Sequence, residues 1–466
     1  MLFNSLHFLF FLPIVLFLFY KTEGKAQRVV LFLSSVYFYS VLKLAFLPLL
    51  FLSLLVTYYT SLRIESSSSV SKKKLWLFLC LLCNVGILVF FKYTDFLRSI
   101  YYDLIVQQEF TEQHKYNLVL PLGISFYTFQ AIAYAVDVYR GVIPSEKRFF
   151  RFSLFLVFFP QLVAGPIIRA AVLIPQFFET HKFSKQQIFE GLEDVTTGIF
   201  KKTMIADPIA VVLKPLYSDP SAYSSSACFF ASLLFSVQIY CDFAGYSDIA
   251  IGVGKMMGFK IPLNFQRPFL AASSMEIWQR WHISLSTWLR DYVYIPLGGS
   301  RVGRVRNYFN LFITMTVGGI WHGAAWTFII WGLVHSFFQM TERFFKDMGW
   351  SWLFAKVPHF VRVLYAFWVF SFAAIFFRAE SYKKAMIQIS SFFYLTDGKE
   401  LQVTASVLVP VFFLFIWEIA EEKAWTLPKE NPLAQKWKLI CMSTVLFLAF
   451  MIYTVTASPQ FYYFVF

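Results

Sequence analysis

The sequence contains few charged residues and lacks the motifs of several common enzyme classes. Only 15% of its 466 residues are Asp, Glu, Lys or Arg, whereas ordinary soluble domains carry about 25%. No serine-elbow motif, cysteine–histidine pair or acidic metal cluster stands out along the chain. These absences exclude an ordinary soluble globular protein and argue against covalent-nucleophile or metal-dependent chemistry.

The five cysteines form no disulfide framework. Cys80 and Cys83 are spaced as C-x-x-C, but both lie in the apolar run 75–91, so we interpret them as helix-packing residues. The net charge of +14 comes from short basic clusters between apolar runs. That distribution is typical of cytoplasmic loops and argues against nucleic-acid binding.

Apolar residues, by contrast, are abundant along the whole chain. The sequence is 58% hydrophobic and 21% aromatic, with a mean hydropathy of +0.59. At about 20 residues per crossing, these runs predict an all-α, polytopic integral membrane protein with roughly 11–13 membrane-embedded helices. We expect one membrane domain over 1–466, with N-terminal spans in 1–151, a core in 152–345 and C-terminal spans in 346–466.

The alternation of basic and acidic loops in the first half places the Lys/Arg loops in the cytoplasm. The polar segment 179–202 is also predicted to be cytoplasmic. Residues 274–289 follow a helical pattern that combines Trp and Arg, which predicts one helix at the membrane interface. Within it, Glu276 and Arg280 are spaced to form a supporting ion pair.

His322 is the strongest candidate for chemistry. It lies in V-G-G-I-W-H-G-A-A-W, where glycine and alanine remove side-chain bulk and allow close approach of a helix or substrate. A histidine within a membrane is a functional candidate, and neutral imidazole is a usable base near pH 7. The alternative is a packed histidine with one hydrogen bond. For His282, interface packing and a direct chemical role are both open.

Asp242 and Asp248 lie within a long apolar run and are expected to face the bundle interior or a water-filled cavity. Six helical residues separate their directions by about 120°, so they are weak candidates for a paired acid and base. A membrane enzyme with a buried histidine and no covalent nucleophile is best suited to proton transfer from a hydroxyl that attacks an activated acyl group.

Three segments carry a resemblance to a known family. They are R-W-H-I-S-L-S-T-W-L-R-D-Y-V-Y-I-P-L-G-G-S-R, G-G-I-W-H-G-A-A-W and Y-C-D-F-A-G-Y-S-D-I-A-I-G. Together with the opening M-L-F-N-S-L-H-F-L-F-F, they resemble the bacterial branch of the membrane-bound O-acyltransferases that O-acetylates alginate and related envelope glycans. The resemblance extends over essentially the whole chain.

The resemblance implies a ring of helices around a thin core, with a cytoplasmic funnel for the acyl donor and an outer funnel. His322 matches the family's catalytic histidine and His282 its second, less certain one. The C-terminal F-Y-Y-F-V-F resembles an ending whose tyrosine, here Tyr463, relays the acyl group; Val465 stands where a polar residue is common. We assign substrate contacts to Trp281, Trp321, Asp242, Arg280 and Ser286.

The expected function is therefore acetyl transfer from a cytoplasmic donor, acetyl-CoA, to an extracytoplasmic polysaccharide such as alginate. The resemblance implies a bacterial inner-membrane location, an SGNH-type partner outside the membrane, lipid contacts, no metal and no permanently bound cofactor. Peptidoglycan or another glycan as acceptor, and D-alanyl transfer to teichoic acid, remain alternatives. A lipid-carrier transporter and a non-catalytic membrane scaffold are alternatives from other classes.

Overall fold

A computed structural model describes residues 1–3, 5–41, 43–423, 440–445 and 448. Within these residues the secondary structure is helical, apart from turns and one isolated bridge between Tyr223 and Lys399. The predicted all-α fold class is thus confirmed.

The chain divides into two compact units. The first comprises Met1–Leu192 and Ala250–Pro262, and the second comprises Glu193–Ile249 and the described residues from Leu263 onward. The single domain over 1–466 and its three sections stay a prediction.

The first unit contains eight complete α-helices. They are α1 Leu6–Lys21, α2 Gly24–Ser40, α3 Leu47–Ser66, α4 Val70–Tyr101, α5 Ile124–Tyr139, α6 Phe149–Val157, α7 Phe159–Leu162 and α8 Ala170–Gln176. Helix α9, Lys185–Ile199, begins in this unit and ends in the second. Ser5 stabilises the start of α1, because its side chain accepts a hydrogen bond from the backbone N–H of Phe8.

Among the described residues of the second unit up to Lys423, ten further α-helices lie wholly or in part. They are α10 Asp207–Ser218, the first part of α11 Ser225–Met256, α12 Ser274–Arg280, α13 Ile283–Leu289, α14 Arg304–His322, α15 Trp326–Asp347, α16 Ser351–Lys356, α17 His359–Arg378, α18 Tyr382–Tyr394 and α19 Ala405–Glu422. A π-helical segment, Phe200–Ala206, joins α9 to α10. Ser273 and Ser381 cap α12 and α18 through their side chains.

Four helical stretches in the described part of the chain are long and apolar enough to cross a membrane. They are Leu44–Ser66, Val70–Val106, Ser225–Met256 and His359–Arg378. Protein buries 83% of the apolar window in Ser225–Met256 but only 17% of that in Val70–Val106. The first is therefore an interior helix, whereas the second presents an apolar surface suited to lipid. The total of roughly 11–13 helices, the ring and the funnels remain predictions.

Helices α14 and α15 approach each other closely because glycines lie at their contact. A Cβ atom on Gly319 would lie 2.4 Å from the carbonyl oxygen of Phe328, and one on Gly332 would lie 2.5 Å from that of Met315. Real Cβ atoms essentially never approach this closely. The small residues before His322 thus allow the close helix approach that the sequence predicted.

Candidate active site

The helical segment around His282 is interrupted at that residue. Helix α12 ends at Arg280, α13 begins at Ile283, and His282 between them has φ +41° and ψ +54°. The prediction of one continuous helix over 274–289 is therefore wrong. The physical reason is tertiary: the backbone N–H of Ile283 donates to the Asn264 carbonyl, and that of Gln266 donates to the Arg280 carbonyl.

The left-handed conformation of His282 needs support, because such a conformation costs a non-glycine residue about 1–3 kcal/mol. Asn264 supplies much of it. Its side-chain Oδ1 lies 3.1 Å from His282 Nδ1, 3.2 Å from the Ser284 backbone N and 2.8 Å from Ser284 Oγ. At about 1 kcal/mol net for a typical hydrogen bond, these contacts are of the right size to offset the backbone cost.

His322 is the last residue of α14, and the chain leaves the helix through the extended residue Gly323. The imidazole is enclosed by rings. Its centroid lies 4.9 Å from that of Trp321, 4.9 Å from that of Trp331 and 5.1 Å from that of Phe377. All three pairs meet edge to face, which orients the imidazole through packing.

The two histidines line one cavity. Its empty space, including the open solvent at its mouth, is about 310 Å³. The lining consists of nine residues: Ile239, Phe243, Trp281, His282, His322, Trp331, Phe370, Ala374 and Phe377. Apart from the histidines and the indole N–H groups, this wall is hydrocarbon, so it favours contact with an apolar group.

Burial keeps His282 neutral. The residue has no exposed surface, and the rings of Phe243 and Phe265 lie 4.6 and 6.2 Å from its own ring. Burial lowers the pKa of His282 to about 3, because an apolar surrounding disfavours the imidazolium cation. At neutral pH the side chain is an uncharged donor and acceptor of hydrogen bonds.

The structure brings several predicted site residues together. Trp281 lines the cavity with both histidines. Trp321 contacts both histidines, with ring-centroid distances of 6.0 Å to His282 and 4.9 Å to His322. Ser286 is close to the turn, since its hydroxyl donates to the Trp281 carbonyl at 3.1 Å, but it is not part of the cavity lining.

Two other predicted residues lie in ion pairs. The Arg280 guanidinium is 2.7 Å from a Glu276 oxygen and 3.0 Å from a Glu422 oxygen. The i, i+4 pair predicted from the sequence is thus confirmed, and Glu422 is an additional partner. Arg280 holds the pKa of Glu422 below its usual value through this hydrogen bond. Asp242 is buried and pairs with Lys202 at 2.6 Å.

Sequence reasoning missed the partners of the two carboxylates of α11 and of the neighbouring Asp207. Lys202 contacts Asp207 at 2.8 Å as well as Asp242, and the neighbouring Lys201 contacts Asp248 at 2.8 Å. The two aspartates of α11 therefore have separate lysine partners, in agreement with their predicted directions. Lys202 ends the polar segment 179–202, and the π-helical segment Phe200–Ala206 buries it; the cytoplasmic side of that segment stays a prediction. Two adjacent lysines at the end of a polar segment, before an apolar helix that contains two aspartates, are the pattern that could have predicted these ion pairs.

Asn264 was also missed, along with the lining residues Ile239, Phe243, Trp331, Phe370, Ala374 and Phe377. Asn264 lies in a loop 18 residues before His282, where no periodic pattern predicts a neighbour. Tyr463, the predicted relay residue, lies outside the described residues.

Comparison with known proteins agrees with this architecture. The model of the MBOAT, membrane-bound O-acyltransferase family matches residues 143–382. That range contains both histidines and every residue that lines the cavity.

The chain belongs to the membrane-bound O-acyltransferase family. Among its relatives, the peptidoglycan O-acetyltransferase of Helicobacter pylori is 36% identical over 418 residues, covering 83% of this chain and 78% of the relative. The probable alginate O-acetylase of Azotobacter vinelandii is 36% identical over 435 residues, covering 89% and 84%. The teichoic acid D-alanyltransferase of Bacillus subtilis is 29% identical over 287 residues, covering 55% and 70%.

The resemblance read from the sequence motifs is therefore confirmed, and the chain is a membrane O-acyltransferase. Membership in this enzyme family sets aside the transporter and scaffold alternatives. The roles of the individual site residues stay predictions.

Proposed function

We propose that this acyltransferase moves an acetyl group from a cytoplasmic thioester, acetyl-CoA, to an extracytoplasmic polysaccharide such as alginate. The observation that carries the proposal is the pair of histidines, His282 and His322, on one small apolar cavity within the region shared with the family. Acetylating relatives, with 36% identity over most of the chain, support acetyl as the transferred group.

His322 acts as the general base. Its imidazole takes the proton of an accepting hydroxyl while that oxygen attacks the thioester carbonyl carbon. The carbon–sulfur bond then breaks, and the departing thiolate receives the proton from the imidazolium, so the histidine is restored. General-base catalysis of this kind contributes about 10²–10⁴-fold in rate.

The cavity wall assists this chemistry in two ways. Its aromatic side chains exclude water, which protects the thioester from hydrolysis. They also hold His322 edge to face between Trp331 and Phe377, so that little reorientation is needed before proton transfer.

The accepting hydroxyl in the first step is that of Tyr463. The resulting tyrosine ester passes its acetyl group to an extracytoplasmic SGNH-type partner, which acetylates the glycan. This relay rests on the family resemblance of the F-Y-Y-F-V-F ending. The same resemblance supports a location in the bacterial inner membrane.

The acceptor glycan has a second candidate. The Helicobacter pylori relative is named for peptidoglycan, and its identity to this chain equals that of the Azotobacter relative named for alginate. D-Alanyl transfer is a weaker candidate, because the Bacillus relative covers only 55% of this chain.

The test compares cells that express the wild-type chain, His322→Ala or His359→Ala. His359 is an exposed histidine at the start of α17 and serves as the matched control. Ester-linked acetate and D-alanine are released from isolated alginate, peptidoglycan and teichoic acid by mild alkali and quantified. We expect acetate on one glycan to fall by at least about 100-fold in His322→Ala alone.

The donor is tested with inside-out membrane vesicles and acetyl-labelled acetyl-CoA, and Tyr463→Phe is expected to prevent labelling of the protein. Normal acetate levels in His322→Ala cells, at equal protein abundance, would contradict the proposed role of the histidine. Ester-linked D-alanine in place of acetate would instead identify the D-alanyl alternative.

A further inference from the structure

We propose that Asn264 is a positioning residue that holds His282 as the Nδ1–H tautomer, so that Nε2 of His282 serves the acyl-transfer cavity as a hydrogen-bond acceptor. The inference rests on the proposed function, because it assigns a role to the second histidine of that site. In this tautomer Nε2 carries no hydrogen, so His282 cannot donate a hydrogen bond from Nε2 to a developing oxyanion.

The first step is the orientation of the Asn264 side chain. Its oxygen and nitrogen look alike in a structure, so the hydrogen-bond network must assign them. One side-chain atom faces the backbone N–H of Ser284 at 3.2 Å, and a backbone N–H can only donate. That atom must therefore be the acceptor, Oδ1, and Nδ2 is left to donate to Ser247 Oγ at 3.1 Å.

The second step fixes the proton on the imidazole. Asn264 Oδ1 lies 3.1 Å from His282 Nδ1. Because this oxygen can only accept, Nδ1 must carry the hydrogen. A neutral imidazole has a single N–H, and the buried ring is neutral, so Nε2 carries the lone pair.

An asparagine suits position 264 because it can cap α13 and contact His282 at the same time. His282 precedes α13 as its N-cap residue but its side chain makes no capping hydrogen bond. Asn264 caps the helix instead: its carbonyl accepts from the Ile283 N–H at 2.9 Å, and its Oδ1 accepts from the Ser284 N–H. One residue thus stabilises the turn and sets the tautomer. Ser247 completes the arrangement by orienting the amide.

The consequence is a division of roles within the cavity. His282 Nε2 accepts a hydrogen bond from an N–H or O–H group of the bound reactants other than the attacking hydroxyl, whose single proton goes to His322, and this contact orients the reactants for transfer. Loss of the Asn264 oxygen would allow His282 to take the opposite tautomer and remove that acceptor. Acyl transfer would then fall because the Nε2 acceptor is lost, and this decrease would add to any decrease caused by lower stability of the fold.

The most direct test observes the tautomer by ¹⁵N NMR of histidine-labelled protein in lipid. His282→Gln identifies the His282 signals by their loss. We expect a neutral Nδ1–H pattern in the wild type and a change toward Nε2–H in Asn264→Leu. An Nε2–H pattern for His282 in the wild type would overturn the inference, whatever the activity of the protein. This result also remains available if the Asn264 variant fails to fold.

Activity supplies an independent test through a double-mutant cycle with His282→Ala, Asn264→Leu and the double variant. If Asn264 acts through His282, the double variant loses no more transfer activity than His282→Ala alone. Asn264→Asp keeps an acceptor oxygen and is expected to retain more activity at pH 8 than Asn264→Leu. If Asn264→Leu lowered transfer activity by the same factor in the His282→Ala background as in the wild type, the two residues would act independently and the inference would be contradicted.

The control variant is Ser236→Ala, which removes different buried hydrogen-bond contacts in the same unit, those of Ser236 Oγ with Ser371 Oγ at 2.9 Å and with the Ser232 carbonyl at 3.1 Å. It reports the effect of losing buried hydrogen bonds without touching either histidine. His322→Ala is measured alongside. If it retained transfer, the proposed function would fail, whereas the NMR assignment of the His282 tautomer would stand on its own.

Discussion

Gly319 of α14 lies directly against Gly332 of α15: a Cβ atom on Gly319 would lie 3.3 Å from the Cα atom of Gly332. Gly319 is three residues before His322 on the same helix, so the spacing of the two helices sets the position of the imidazole. The aromatic ring of Trp331, which contacts His322, is on the facing helix beside Gly332. Backbone packing and active-site geometry are thus coupled at this contact.

The first prediction follows from this contact. Gly319→Ala should lower both thermal stability and acyl transfer, because the new Cβ atom would meet the Phe328 carbonyl oxygen at 2.4 Å and force the helices apart. Overpacking of this kind costs about 1–3 kcal/mol. The matched control is Gly86→Ala in α4, where a Cβ atom meets nothing within 4 Å. Equal thermal stabilities of the two variants in detergent would show that the contact tolerates a methyl group.

The second prediction concerns the buried lysine. Lys202→Met should destabilise the protein by about 3–5 kcal/mol, since it leaves the carboxylates of Asp207 and Asp242 buried without their shared cation. Asp242→Asn should cost less, because Lys202 keeps Asp207. Denaturation of the purified protein measures both.

Lys384→Met is the control for this series. It removes an i, i+4 pair with Glu380 on the surface, which is worth about 0–1 kcal/mol. If Lys202→Met proved as stable as Lys384→Met, the buried cluster would not contribute to folding in the way that its burial indicates.

The sequence predicted those candidate site residues whose neighbours in the sequence have a distinctive composition. His322 was singled out because glycine and alanine surround it in an apolar run, whereas the role of His282, next to Trp281, stayed open until the family resemblance favoured it. Composition and apolar spacing likewise predicted an all-helical membrane fold. These features are local, so a single stretch of sequence contains them.

The parts that were missed depend on residues far apart in the chain. The continuous helix predicted over 274–289 failed because the loop residue Asn264 accepts hydrogen bonds that would otherwise stay within the helix. The cavity wall contains Phe370 and Ala374, which come from α17, about 90 residues after His282 in the sequence. Helical periodicity reports which face is apolar, but not which helix covers it.

The third prediction tests the size of the cavity. Ala374→Leu should lower acetyl transfer strongly, because Ala374 lines the cavity and three added carbon atoms would fill space next to the histidines. Ala366→Leu on the same helix is the control, since Ala366 is buried but outside the lining. Both variants should lose about 1–3 kcal/mol of stability through overpacking. Similar transfer activity in the two variants would mean that the acyl group binds elsewhere.

The fourth prediction concerns pH. Wild-type His282, with its pKa lowered to about 3, stays neutral between about pH 5 and 8. Its surroundings comprise Phe243 from α11, Asn264 and Phe265 from the preceding loop, and Trp321 from α14; His322 is the other titratable group on the cavity. Titration of His282 should therefore contribute no acid limb to the wild-type activity profile over this range.

Asn264→Asp should make transfer activity depend on the protonation of His282. The new carboxylate would face the Nδ1–H and favour the imidazolium, so the pKa of His282 rises. A protonated His282 has no lone pair to accept a hydrogen bond, so transfer activity should fall as the pH is lowered from about 8 to about 5, relative to the wild type at each pH. Asn264→Leu is the control, because it removes the acceptor without adding charge and should give a low activity whose pH dependence follows that of the wild type. An Asn264→Asp profile parallel to that of the wild type would show that protonation of His282 does not limit the reaction, and the acceptor role of its Nε2 would have to be abandoned.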